Sequence, residues 1–83
     1  MNIQFKPEVF VLMRTDHHGV DNYPLFAFVG VPTYSELISV LAANLTHYEK
    51  IIVKEEELAS WDKNEVLQVT EEYYYMYIQK VQT

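Results

Sequence analysis

Cysteine is absent from the 83 residues. That excludes disulfide staples, thiolate zinc sites, iron–sulfur ligation and thiol catalysis, and leaves the core to be held by packing alone. Glycine is almost as scarce, occurring only at Gly19 and Gly30. Gly19 and Gly30 lie too far apart for the Gly-rich loops that cradle phosphates in P-loop and dinucleotide-binding proteins, so nucleotide chemistry is not expected. Basic side chains are few as well. Six Lys and Arg against twelve Asp and Glu give a formal charge of -6, a field that repels phosphate backbones and attracts basic surfaces or cations. Direct nucleic-acid binding is therefore not expected. No stretch reaches the roughly 18 apolar residues of a membrane span, and Met1 to Glu8 lacks the charged start and long apolar run of a secretory signal. The chain reads as soluble and cytoplasmic, with no membrane partner.

The hydrophobic fraction of 49% and charged fraction of 22% are those of globular proteins, which argues against collagen-like, disordered and coiled-coil classes. Residues 1–83 suffice for one modest core, so a single domain is expected. The run Val9-Phe10-Val11-Leu12-Met13 is apolar throughout and rich in β-branched and aromatic residues, predicting a strand buried on both faces. A second run, Leu25 to Val31, follows a stretch from Arg14 to Pro24 that carries Asp, Asn, Gly and Pro. These two runs predict an antiparallel hairpin with an unusually long tip of about ten residues.

Thr33-x-x-Glu36 predicts a helix start, with Thr33 accepting from the Glu36 amide and the Glu36 carboxylate reaching back to the Thr33 amide. Leu37, Ile38, Leu41, Ala42 and Leu45 then recur at helical spacing and form one stripe. The helix is expected to end between Asn44 and His47, where asparagine tolerates the left-handed conformation and His47 suits the carbonyl end of the dipole. Lys50 to Lys54 predicts a third strand, and Glu55 to Trp61 a short helical turn. Glu65 to Val81 favours one or two further strands; a helix through Tyr74, Tyr77, Ile78 and Val81 is the competing assignment. The fold class is α+β: an antiparallel sheet of four or five strands with one main helix on one face, in the order β-β-α-β-β.

Three features bear on function. Asp16, His17, His18 and Asp21, with Arg14 nearby, gather metal-ligating and acid–base side chains in the hairpin tip. A shared ion would need a tight turn at Gly19; the plain alternative is a solvated loop. Glu55, Glu56, Glu57, Asp62, Glu65, Glu71 and Glu72 concentrate acid in the second half, where eight acids meet four lysines from Glu49 onward. Such a patch imitates the spaced phosphates of a nucleic acid and fits a basic groove, or else it simply keeps a small protein soluble. Tyr73, Tyr75 and Tyr77 project from one side of a strand, and Tyr74, Met76 and Ile78 from the other. One set must face the core, which leaves the other as a row on the opposite sheet face. No Gly-x-Ser-x-Gly elbow surrounds Ser35, Ser39 or Ser60, and no serine triad is indicated.

In size, acidity and want of a catalytic motif, the chain resembles the small inhibitor proteins of phages and mobile elements, anti-CRISPR proteins among them. The leading expectation is a non-enzymatic protein-binding module without a cofactor. It would dock Glu55, Glu56, Glu57, Asp62, Glu71, Glu72, Tyr73, Tyr75 and Tyr77 on a basic surface of a nucleic-acid-processing protein. The alternatives are a small metal-dependent enzyme or ligand sensor using Asp16, His17, His18 and Asp21, and a structural homodimer formed through a strand edge or the tyrosine face.

Overall fold

The computed structural model describes residues 7–16, 21–46, 49–71 and 74–81. The first apolar run becomes β1 (Val9–Thr15), which pairs antiparallel with β2 (Asn22–Val29). The ladder reaches farther toward the tip than the sequence pattern predicts, because Arg14 and Thr15 pair with Tyr23 and Asn22. Just beyond the ladder the Asp16 amide donates to the Asp21 carbonyl at 3.2 Å, and residues 17–20 lie outside the described residues. Between Leu12 and Met13 the register shifts: Leu12 faces Phe26 and Met13 faces Pro24, leaving Leu25 as the extra residue of a bulge. Pro24 is tolerated here because β2 is an edge strand. β2 stops at Val29, short of the predicted Val31, since Gly30 turns the chain with a φ of +81°.

Thr33 caps α1 (Tyr34–Asn44), its hydroxyl oxygen accepting from the Glu36 amide at 3.1 Å. The reciprocal half of the expected box is replaced by a side-chain contact, the Thr33 hydroxyl donating to Glu36 Oε1 at 2.9 Å. Leu37 and Leu41 are fully buried, Ile38 and Leu45 pack at the margin, and Ala42 is exposed, so the buried stripe is narrower than its spacing suggests. The helix leaves through Leu45 in extended conformation, where the sequence suggests a left-handed exit. His47 lies outside the described residues.

Only Lys50–Ile51 of the expected third strand is a strand, β3, because the Ile52 and Val53 amides both turn to the Val69 carbonyl. The acidic run forms α2 (Glu55–Ser60): the Glu57 carboxylate accepts from the Lys54 amide at 3.1 Å, and acids in the first turn suit the positive end of the dipole. The last third is strand, as favoured over helix, but divided into β4 (Leu67–Gln68), β5 (Thr70–Glu71) and β6 (Tyr75–Lys80). A four-stranded antiparallel sheet runs β2-β1-β6-β4, and β3 and β5 make a separate two-stranded ribbon. Val69, fully buried, carries the chain from one sheet to the other. The architecture is thus α+β with one main helix, plus a short second helix and ribbon.

One core unites these parts. Phe10, Leu12, Met76 and Ile78 on one sheet face pack with Leu37 and Leu41 of α1, Leu58 of α2, and Trp61. Trp61 meets Phe10 edge-on at 5.5 Å between ring centroids, and its indole donates to the Glu65 carbonyl at 2.8 Å. Both helices contribute to this face of the sheet, so the other face is where β1 departs from the expected two-sided burial. Val9, Val11 and Met13 are only half-buried.

Candidate functional site

Strand alternation decides which side chains reach the open face. In β6, Met76 and Ile78 are fully buried while Tyr75 and Tyr77 point the other way and are half-buried. Register then places their neighbours: Tyr75 lies opposite Thr15, Tyr77 opposite Met13 and Gln68, and Gln79 opposite Val11. Across β1, Val9 faces Val29, Val11 faces Ala27, and Met13 faces Pro24. None of these residues carries a charge. The two phenol rings lie 6.2 Å apart, and the Tyr77 hydroxyl donates to Asn22 Oδ1 at 3.2 Å, so its side chain spans β1 and ties β6 to β2. Burial pushes the Tyr77 phenol above its ordinary pKa of 10.0, with the neighbouring Tyr75 adding to the effect.

The acidic residues lie elsewhere. Glu55, Glu56 and Glu57 are exposed on α2, and Asp62 is exposed just beyond it, where its carboxylate accepts from the Asn64 amide at 3.0 Å. Among the described residues, none of these four forms an ion pair. Glu71, in the ribbon, pairs loosely with Lys50 at 3.8 Å. Since α2 packs on the core side of the sheet through Leu58, its acids and the Tyr75–Tyr77 row belong to different faces of the protein. The structure therefore brings Glu55, Glu56, Glu57 and Asp62 together, and Tyr75 with Tyr77, but does not join the two groups. Glu72 and Tyr73 lie outside the described residues.

Of the hairpin-tip cluster, Asp16 and Asp21 flank the connection, and His17 and His18 fall outside the described residues. Arg14 is not directed to that cluster. It has the same strand parity as Phe10 and Leu12, and its guanidinium reaches the carbonyl of Asn44 at the end of α1 and, at 2.6 Å, Glu49 Oε1. Glu49 also accepts from the Thr46 hydroxyl at 3.0 Å. The side chains are 13% and 0% exposed, and among the described residues Arg14 Nε and Glu49 Oε2 have no hydrogen-bond partner. Sequence reasoning missed this pair, although the parity of Arg14 in an apolar strand was a legible signal. Among the described residues no group of three or more His, Asp or Glu is placed to hold a metal ion. A depression of about 440 Å³ between Val31–Tyr34 and α2 is wide open, and the Tyr34 hydroxyl within it already donates to the Val53 carbonyl.

No protein-family profile matches the chain, and comparison with curated proteins and with solved structures finds no significant match. No helix among the described residues is long and apolar enough to cross a membrane.

Proposed function

We propose that this chain is a non-enzymatic protein-binding module that docks through the open face of its four-stranded sheet. The observation that supports this is the make-up of that face: Val9, Val11, Met13, Tyr75 and Tyr77 lie side by side, uncharged and only half-buried. Depletion of charge combined with tyrosine is characteristic of the centres of protein interfaces, where phenols give contact area at small entropic cost. The partner is a protein whose contact patch is apolar and whose surroundings are basic. Glu55, Glu56 and Glu57, exposed on the other layer and without an ion pair among the described residues, contribute a long-range field that steers such a partner and does not touch the tyrosines. An inhibitor of a nucleic-acid-processing protein, of the kind carried by phages and mobile elements, is the particular form that these acids favour.

The test is capture of partners from source-cell lysate by the wild-type chain, followed by affinity measurement on the partner found. Replacing Tyr75 and Tyr77 together by Ala should weaken binding by at least about tenfold. Reversing Glu55 to Glu57 to lysine should slow association and remove its salt dependence while leaving dissociation nearly unchanged. Equal affinity for the wild type and the tyrosine variant would refute docking on this face.

A further inference from the structure

Independently of that reading, we infer that β2 is a self-pairing edge through which two copies of this chain form a two-fold dimer with one continuous eight-stranded sheet. β2 ends the order β2-β1-β6-β4, so among the described residues its outer edge pairs with no strand. Proteins guard such edges with charges, prolines and bulges. Here Pro24 and the bulge at Leu25 guard only the first half of the strand, and the second half, Phe26 to Val29, has no guard at all. From Asn22 to Ser35 the chain carries no charged residue, although the whole molecule bears -6. The edge is thus a place where two copies can approach without bringing acids face to face.

What selects a second copy over another partner is the sequence itself. Leu25-Phe26-Ala27-Phe28-Val29 reads nearly the same in both directions about Ala27. Antiparallel pairing about a two-fold axis at Ala27 sets Ala27 against its own equivalent and Phe26 against Phe28, the isologous geometry that closes a dimer, and the regular ladder ends there because Leu25 is the bulge residue and packs on the core. Phe26 and Phe28 share a sheet face, being opposite Leu12 and Phe10, with ring centroids 4.9 Å apart. Phe28 is 6% exposed, but Phe26 at the rim is 46% exposed. In the dimer each Phe26 gains Phe28 of the second copy as its cross-strand neighbour, and four rings join the two cores. On the other face, Ala27 at the axis is exposed and small enough for the strands to close. A contact of one strand edge falls at the small end of interface sizes, so the dimer should be weak, with a dissociation constant on the order of 10 µM or above.

Sedimentation of the full chain from about 1 to about 500 µM should show dimer growing with concentration. Directly opposed side chains lie about 5 Å apart on a sheet, so Ala27→Glu and Ala27→Lys each place like charges together at the axis and should weaken the dimer more than about tenfold. An equimolar mixture of the two variants should dimerise again, because each axis then holds opposite charges. That restoration also excludes misfolding as the cause of the loss. A wild type that stays monomeric throughout, variants that dimerise like the wild type, or a mixture that stays monomeric would each overturn the assignment.

Discussion

Exchange of the Glu49 carboxylate for an amide tests whether the Arg14–Glu49 pair is a buried lock between β1 and the segment after α1. The two side chains are 13% and 0% exposed and meet at 2.6 Å. With charge centres about 4 Å apart and an effective dielectric constant of about 20, their attraction is about 4 kcal/mol. Desolvation of each ion costs several kcal/mol, and Arg14 Nε and Glu49 Oε2, which find no partner among the described residues, recover none of it. The intact pair therefore adds little net stability, whereas losing one partner strands the other charge. Glu49→Gln should cost about 3–5 kcal/mol. For 83 residues at about 0.05–0.15 kcal/mol each, the whole domain has about 4–12 kcal/mol to lose. Replacing both partners, as in Arg14→Met with Glu49→Leu, should return stability to within about 1.5 kcal/mol of wild type. Urea unfolding followed by fluorescence of Trp61, the single tryptophan and a buried one, measures all corners of the double-mutant cycle. A Glu49→Gln cost under about 1 kcal/mol, or a double variant as unstable as the sum of the singles, would refute the reasoning.

Two further outcomes follow from single contacts. The fully buried Thr70 hydroxyl oxygen accepts from the Met76 amide at 2.7 Å, so Thr70→Val keeps the shape, orphans that amide, and should cost about 1–3 kcal/mol in the same urea assay. The Tyr77 phenol ionises above its unfolded value near 10, so the folded state prefers the neutral form. Its contribution to stability is complete below pH 10 and is lost as the pH rises through the folded value; Tyr77→Phe should flatten this alkaline decline and remove one phenolate absorbance step above pH 10.

Local patterns were legible wherever one segment decides its own state. Thr33 three residues before Glu36 marked the start of α1, the acids at Glu55 to Glu57 marked α2, and the alternation of Tyr75, Met76, Tyr77 and Ile78 sorted β6 into an inner and an outer face. Features that depend on a distant segment were not. β3 shortens because Val69, far along the chain, takes the amides of Ile52 and Val53, and Arg14 meets a carboxylate 35 residues away. Of the candidate site, the outward tyrosines could be read from strand parity alone. Their separation from the acids of α2 could not, because it depends on which side of the sheet Leu58 packs.

The most informative disagreement is at β1. An apolar run of this kind is expected where both faces of a strand are covered, yet on the face away from Phe10 and Leu12 β1 buries Thr15 at its end and leaves Val9, Val11 and Met13 half-buried. If the other face met only water, polar residues would satisfy it equally well at Val9, Val11 and Met13, as they do at Gln68 and Gln79 on the strands beyond. Keeping apolar side chains there costs solubility and offers the isolated fold little in return. Local consistency is broken at this surface and kept in the α1 cap and the apolar core, and the docking proposed above would account for the exception. Val11→Thr combined with Met13→Gln should accordingly leave unfolding stability within about 1 kcal/mol of wild type while weakening partner binding. A large loss of stability with binding unchanged would reassign the face to folding alone.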